Sequence, residues 1–142
     1  GHWGFSRAVC FKAPYFGSIS PTITRLEHSR CEAVIKDRRA VHNHIGGVHA
    51  IALCNLAELC AGVMTDASLP KDMRWIPKGM TVEYLKHAKG RLHATATPMT
   101  PIISSTAGYD LPVNVDVLDE AGEKVFHAEI HMWMSPKPSK AG

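Results

Sequence analysis

The spacing of hydrophobic residues divides the chain into a short N-terminal part, one long apolar segment and a C-terminal part of alternating character. Residues 3–16 carry apolar groups at loosely helical spacing that stops before Pro14, which predicts a short helical extension within residues 1–17. From residue 18 to 37 the apolar residues form two β-prone runs, separated by Glu27-His28-Ser29-Arg30. This pattern predicts two strands joined by a turn.

The longest apolar segment runs from Val48 to Met64 and predicts a single long helix. Gly46-Gly47 breaks the chain in front of it, and helix-forming Ala and Leu fill it without a proline. Because the segment is apolar nearly all round, the helix is expected to be buried on most sides. Gly62, followed by Thr65-Asp66, indicates its end. Residues 65–79 are then expected to form a loop of a length that is often functional.

After Gly79 the chain predicts four strands at hairpin spacing. Polar and apolar residues alternate over 80–86, 90–98, 113–118 and 125–134, with turn residues at 119–122 and a proline-containing tail over 136–142. Two strands, one apolar helix and four further strands indicate an α+β fold in which a curved antiparallel sheet wraps around one central helix. A single domain over residues 1–142 accommodates all of these elements.

Charge and cysteine usage narrow the class of protein. The net charge is +3 and the 16 Lys and Arg are spread along the chain, so no nucleic-acid-binding face is expected, although mild basicity suits a polyanionic small ligand. The cysteines Cys10, Cys31, Cys54 and Cys60 show no CxxC pair and no zinc-binding spacing. The first residues lack the basic and apolar regions of a secretory signal, so we expect a reduced, cytoplasmic protein.

Residues 45–64 form a mostly apolar stretch with the length of a membrane span. The stretch contains His49, Asn55 and Glu58, and an ionised group at mid-bilayer costs about 2.5–3.5 kcal/mol even on lenient insertion scales. A buried helix in a soluble fold explains the same composition without this cost, so no membrane span is expected.

The segment from Asn43 to Glu58 resembles the hotdog-fold thioesterases, and most closely their phenylacetate-pathway branch and its uncharacterised relatives. Members of that branch carry the pattern Asn-x-x-Gly-x-x-His-Gly-Gly, and an Asp or Glu preceded by Leu-Ala follows nine residues after the His. In this chain Asn43, Gly46, His49 and Glu58 fall on the same spacing, with Leu56-Ala57 in front of the acid.

The resemblance extends through Met80–Leu85 and the closing hairpin, so it covers roughly residues 18–135. Two positions depart from the family pattern. Ala50-Ile51 replaces the Gly-Gly pair, where an alanine can still offer its backbone N–H. The Ser or Thr that helps to hold water in the family has no clear match, and Thr81 is the candidate for that role.

The resemblance implies hydrolysis of acyl-CoA thioesters, with CoA as part of the substrate and with no cofactor. Glu58 would act as general base or nucleophile, since burial among apolar neighbours would favour its neutral form. The alternative is a glutamate that faces solvent or pairs with an Arg. No metal is predicted, because the three histidines within residues 42–49 have no nearby carboxylate or Cys to complete a ligand set.

The residues around the helix start are expected to handle the thioester carbonyl. A helix beginning near Gly47 directs unpaired N–H groups and its positive dipole end at whatever lies in front of it, which makes the Ala50 amide the candidate oxyanion donor. The resemblance implies that Asn43 positions the nucleophile or water and that His49 shapes the oxyanion site. An ordinary helix N-terminus is the alternative.

Residues further along the chain are candidates for binding the rest of the substrate. The basic group that could meet the CoA phosphates comprises Lys86, His87, Lys89 and Arg91. A solvated strand end is the alternative for that group. Met73, Trp75 and Ile76 either line an acyl tunnel or pack the loop against the core.

Helix geometry indicates that the site is shared between two subunits. The nine positions from His49 to Glu58, at about 100° each, put these residues about 180° apart on one straight helix. They cannot both face one pocket on the same chain unless His49 precedes the regular helix. Two helices packed antiparallel in a symmetric dimer would instead bring Glu58 of one protomer to Asn43, His49 and Ala50 of its partner. A homodimer agrees with the resemblance, and its pairing into a homotetramer is left open.

Two other function classes stay open at this point. One is a hotdog acyl-thioester dehydratase or hydratase, whose members usually pair a catalytic His with an Asp or Glu in a different order. The other is a non-catalytic acyl-thioester-binding module, which the missing Ser or Thr and the Ala50-Ile51 replacement favour. The sequence also leaves open the acyl chain length and whether CoA or a carrier protein bears the acyl group.

Overall fold

The computed structural model describes residues 21–36, 50–88 and 90–138, in which the chain forms one helix and six strands. The helix, α1, spans Ala50–Ser68. The strands are β1 (Thr22–Glu27), β2 (Arg30–Ile35), β3 (Met73–Tyr84), β4 (Leu92–Pro98), β5 (Tyr109–Leu118) and β6 (Lys124–Pro136). The helical extension predicted for residues 1–17 lies outside the described residues. The tail predicted to start at residue 136 starts later, because Pro136 is the last residue of β6.

All six strands belong to one curved antiparallel sheet with the order β1-β2-β4-β5-β6-β3, as the predicted fold class requires. The expectation of successive hairpins after the helix is wrong for β3, which pairs with β6 at the sheet edge rather than with β4. α1 is about 28 Å long at 1.5 Å per residue. It therefore carries the chain across the concave face to the far edge of the sheet, and β2 occupies the place beside β4.

One hydrophobic core joins the concave face of the sheet to the buried side of α1. β5 alternates strictly, with Leu111, Val113, Val115 and Val117 fully buried. α1 packs against β1, β2, β4, β5 and β6. Burial of apolar side chains on α1 and on the concave face of the sheet contributes the main stabilising free energy of the fold.

α1 continues to Ser68, about one turn beyond its predicted end. The buried Thr65 hydroxyl donates to the carbonyl of Ala61 at 2.8 Å, so its hydrogen-bond donor has a partner within the helix. Gly62 does not end the helix. A Cβ at this position would lie 3.4 Å from the ring of Trp75, which is an ordinary contact, so Gly62 lies against that side chain as an interior residue of the helix.

β3 starts at Met73, so the long loop predicted over residues 65–79 is mostly regular structure. The connection between α1 and β3 is only 69–72. Pro77 and Gly79 indicated a loop, because proline is rare in central strands and glycine weakens a strand. β3 is an edge strand, and its register shifts between Pro77 and Gly79, which accommodates the missing N–H.

α1 is long and apolar enough to cross a membrane by length and composition alone. In the structure 56% of its most apolar window is buried inside the protein, and the sheet wraps around it. The apolar stretch is therefore the core helix of the fold, as predicted.

Candidate active site

α1 contacts the inner face of β3 near both ends of the helix. Six of the α1 residues left exposed or half-exposed recur every three or four positions and form one stripe, comprising Ile51, Cys54, Asn55, Glu58, Gly62 and Asp66. The inner-facing residues of β3 that border it are Trp75, Met80, Val82 and Tyr84. We term the space between these two rows the α1–β3 groove.

The two walls of the groove run antiparallel. Tyr84 reaches the start of α1, where its hydroxyl lies 3.3 Å from Cys54 Sγ. Trp75 reaches the end of α1, where its Nε1 donates to Asp66 Oδ1 at 2.6 Å. Glu58 therefore lies between the two ends of the groove, about 6 Å along the helix axis from Cys54 and the same distance from Gly62.

The Glu58 side chain is exposed in the single chain. The expectation that its apolar neighbours bury it is wrong within one protomer, because Leu56, Ala57, Leu59 and Cys60 all turn into the core on the other side of α1. The helical period leaves Glu58 on the open stripe. Its carboxylate is therefore exposed to solvent in the single chain.

A cleft of about 450 Å³ opens beside the start of α1. Its lining residues are Ala50, Leu53, Tyr84, Leu85, Lys86, His87 and Ala88. The first turn of an α-helix has N–H groups without intrahelical partners and carries the positive end of the helix dipole. Ala50 lines this cleft, and its role as an oxyanion donor stays a prediction.

Tyr84 lines this cleft and also contacts Cys54 of α1. Its ring packs edge-on against Phe126, with centroids 5.4 Å apart. The hydrogen bond with Cys54, helped by desolvation, raises the pKa of the Tyr84 hydroxyl above its ordinary value. The phenol thus stays protonated and can donate a hydrogen bond to a ligand.

The predicted CoA-binding residues have different positions. Lys86 lines the cleft, and a hydrogen bond from its ammonium to Glu123, 2.8 Å away, raises its pKa and keeps it charged. Arg91 is exposed and lies outside the cleft lining, and its backbone N–H donates to Glu120 at 3.2 Å. Thr81 is also displaced from its predicted role: it pairs with Glu129 on the outer face of the sheet, opposite to the groove.

Four predicted site residues lie outside the described residues, namely Asn43, Gly47, His49 and Lys89. Their roles remain predictions. Within residues 21–36, 50–88 and 90–138, no group of three or more His, Cys, Asp or Glu is arranged to hold a metal ion.

The three residues considered for an acyl tunnel have different environments in the structure. Met73 is fully buried in the core, and Ile76 is 56% exposed on the outer face. Trp75 alone of the three faces the groove, where it is half-buried. Met73 therefore packs the strand against the core, and the lining of an acyl tunnel stays a prediction for Trp75.

Sequence reasoning did not single out Cys54 or Tyr84 as site residues. A signal for both was available. Cys54 precedes Glu58 by one helical turn, so the two share a helix face. Tyr84 has the same parity as Met80 and Val82 in the alternating strand, so it had to face inward with them.

Comparisons with known proteins agree with this architecture. The chain matches, over residues 1–134, the family described as a domain of unknown function, DUF4442. A search of the curated proteins found no match. Among solved structures, the crystal structure of genomics target APC5556 is 47% identical with a TM-score of 0.87, and the alignment covers 96% of this chain and 91% of that one.

Two more distant structures show the same fold. PA5026 from Pseudomonas aeruginosa, a protein of unknown function, is 22% identical with a TM-score of 0.84 over 96% of this chain and 100% of its own. Thioesterase HI1161 from Haemophilus influenzae is 14% identical with a TM-score of 0.74, over 86% of this chain and 82% of its own. The chain therefore belongs to the DUF4442 family and adopts the hotdog fold predicted from its sequence.

Proposed function

We propose that the protein hydrolyses acyl-CoA thioesters to the free acid and CoA, with Glu58 as the acting carboxylate. The observation that carries the proposal is the position of Glu58 on the open stripe of α1, inside the α1–β3 groove and eight positions after the helix start at Ala50. Structures with a similar fold include thioesterase HI1161 and a thioesterase family protein from Silicibacter pomeroyi, which favours this reaction class.

The proposed reaction needs one carboxylate and one oxyanion donor at the thioester carbonyl. In the general-base form, water bonds to the carbonyl carbon while Glu58 takes its proton. The C–S bond then breaks and the proton passes to the CoA sulfur. In the nucleophilic form, the Glu58 carboxylate attacks the carbonyl carbon, the C–S bond breaks to leave an anhydride and a thiolate, and water cleaves the anhydride. The Ala50 N–H stabilises the oxyanion in either form.

We further propose that these two groups come from different protomers of a homodimer. Within one chain, Ala50 and Glu58 are separated by about 12 Å along the helix axis, whereas an oxyanion must lie within about 3 Å of its donor. A two-fold axis that sets the open stripes of two α1 helices antiparallel would bring Glu58 of one protomer to the helix start of its partner. Among the described strands β3 has no partner on its outer edge, which supports this placement, since a second subunit can cover that edge.

The remaining proposed features concern the CoA moiety and its compartment. We propose that Lys86, which lines the cleft, binds a phosphate group of CoA, and that no cofactor or metal takes part in the reaction. Cys31, Cys54 and Cys60 are free thiols in the described part of the chain, which suits the reducing cytoplasm.

The experiment is release of free CoA from a panel of acyl-CoAs by the wild type and by Glu58→Gln. The substitution keeps the shape of the side chain and removes the carboxylate, so kcat/KM should fall by about 100-fold or more. Glu27→Gln is the matched control, because Glu27 is an exposed glutamate that pairs with Arg25 on β1, at the other edge of the sheet. It should retain wild-type activity.

The same panel separates the other function classes. Addition of water to an enoyl-CoA without release of CoA would identify the protein as a hydratase and not a thioesterase. Tight binding of acyl-CoA without turnover would identify a binding module. Full activity of Glu58→Gln would remove Glu58 from the reaction.

A further inference from the structure

We infer that Trp75 forms the end wall of the acyl-binding part of the groove and restricts the substrate to short acyl groups, of about six carbons or a single ring. The inference rests on the proposed function, because it takes Glu58 as the group that meets the thioester carbonyl. It adds the class of acyl group and the residue that selects it.

Two contacts fix the indole ring of Trp75 along the open stripe of α1. Its nitrogen donates to Asp66 Oδ1 at 2.6 Å. Its benzo edge lies over Gly62, where a Cβ would be 3.4 Å from Cη2 and 3.8 Å from Cζ2 of the ring. The ring therefore extends from Asp66 towards Glu58 and lies directly over position 62, in van der Waals range of a Cβ there.

The position of this ring limits the length of chain that fits beyond Glu58. Gly62 follows Glu58 by one helical turn, or about 6 Å along the axis. An extended chain advances about 3.3–3.6 Å for every three bonds, so about five bonds span this distance. A longer acyl chain would meet the face or edge of the indole.

The surroundings of this space suit an acyl group rather than a charged one. Met80 and Val82 lie on the inner face of β3 between Trp75 and Tyr84, and both are partly buried against the core. Glu58, Gly62 and Trp75 belong to the same chain. The wall therefore stands at the same distance from Glu58 whichever protomer supplies the oxyanion donor.

The test measures binding as well as turnover. Glu58→Gln, which should leave substrates intact, and the double variant Glu58→Gln/Trp75→Ala are titrated by calorimetry with acyl-CoAs from acetyl to dodecanoyl. Each methylene that gains apolar contact is worth about fourfold in affinity. With Trp75 present, affinity should rise only to about the hexanoyl chain and then level off or fall. In the double variant the rise should continue, so that decanoyl-CoA binds at least about tenfold more tightly than to Glu58→Gln.

Two further variants keep the result independent of folding effects. Trp133→Ala is the matched control, since Trp133 is also half-buried but lies on the outer face of the sheet, against Lys78 and Gly108. It should leave the chain-length profile unchanged. Trp75→Phe keeps a ring in place if Trp75→Ala fails to fold, and it should shift the limit by a smaller amount.

The outcomes separate this inference from the proposed function. An identical chain-length profile with and without Trp75 overturns the end wall, even if the wild type hydrolyses acyl-CoAs. A shifted profile in a protein whose wild type releases no CoA supports the wall and overturns the hydrolase. No binding of any acyl-CoA, together with no turnover, overturns both.

Discussion

Two glycines face tryptophan rings, but a methyl group would fit at one of them and not at the other. At Gly62 an added Cβ would make ordinary van der Waals contact with Trp75, at 3.4 Å. At Gly108 the same atom would overlap the six-membered ring of Trp133. The first glycine is thus a helix residue with spare room, and the second is required by a close approach.

We predict opposite signs for alanine at these two positions. Gly62→Ala should raise the free energy of unfolding by about 0.5–1 kcal/mol, because alanine is the better helix former and the ring leaves room for it. Gly108→Ala should lower it by about 1–3 kcal/mol, because the Trp133 ring must move. Urea unfolding of both variants measures the signs. Destabilisation by Gly62→Ala would mean that the Trp75 ring is held more tightly than its contacts indicate.

Single residues also show what the sequence could and could not predict. Glu58 was identified by its spacing from His49, but its exposure depends on which side of α1 the sheet covers, and that is set by long-range packing. The contact of Trp75 with Asp66 depends on β3 beginning at Met73, seven residues after Asp66. This start was not predicted, because Pro77 indicated a loop. For Thr81 the alternating pattern already pointed outward, and the resemblance alone assigned it to the site.

Among the elements, the outer face of the β5–β6 hairpin carries a hydrogen-bonded cluster around Asp116. His127 Nδ1 lies 2.7 Å from Asp116 Oδ1, Lys124 Nζ lies 3.2 Å from the same atom, and the Asn114 amide donates to Oδ2 at 3.0 Å. Partial burial favours the neutral acid, but these hydrogen bonds outweigh it and hold the pKa of Asp116 below its ordinary value of 3.8. The cluster ties together the two strands of the hairpin.

This cluster should make stability depend on pH in the acid range. Because the pKa of Asp116 is lower in the folded state than in the unfolded chain, its contribution is fully present above pH 3.8 and is lost as the pH falls through the folded value. Asp116→Asn should therefore cost about 1 kcal/mol at neutral pH and progressively less below pH 3.8. Urea unfolding at a series of pH values measures the difference.

Asp110→Asn is the control for this series, since Asp110 is an exposed aspartate on the same strand, β5. It should show no comparable pH-dependent difference from the wild type. A cost of Asp116→Asn that stays constant from neutral to acid pH would show that the carboxylate charge does not contribute.

The elements themselves were mostly predictable, and their ends were not. Regular alternation identified β4, β5 and β6, and an unbroken apolar run identified α1, because these patterns reflect local periodicity. The end of α1 and the start of β3 were misplaced because Gly62 and Pro77 were interpreted as breaks. Pro77 is tolerated because β3 lies at the sheet edge and its register shifts there, which only the assembled fold shows. Gly62 is an interior residue of α1, and a single glycine does not end the helix.

At the scale of the whole molecule, the order of the strands in the sheet could not be predicted from the local pattern of polar and apolar residues. β3 and β6 pair although more than 40 residues separate Tyr84 from its partner Phe126. β2 pairs with β4 although all of α1 and β3 lie between them in the sequence. Such pairings depend on the helix crossing the sheet. The open stripe of α1 and the free edge of β3 are the consequences for assembly.

The proposed homodimer predicts that two inactive variants restore activity when mixed. Glu58→Gln removes the carboxylate from one site, and Asn43→Ala removes its predicted partner group. If each site takes these residues from different protomers, a mixed dimer has one site with both defects and one intact site. Random exchange of equal amounts should then recover about a quarter of wild-type activity.

Refolding the two variants together and measuring CoA release tests this arrangement, with light scattering to establish the dimer. Each variant refolded alone is the control and should remain inactive. If every site takes both residues from one chain, mixed dimers have one site with each defect, and mixing should restore nothing. A monomer in solution would exclude a shared site.

The half-exposed thiol of Cys54 at the mouth of the groove has a practical consequence. Cys31 and Cys60 are buried, and a hydrogen bond with Cys31 together with burial raises the pKa of Cys60 well above its ordinary value, so neither competes readily for an alkylating reagent. In a Cys10→Ser background, a maleimide fluorophore would therefore attach next to Tyr84, one helical turn from Glu58. The protein carries its own anchoring point for an optical reporter of ligand entry.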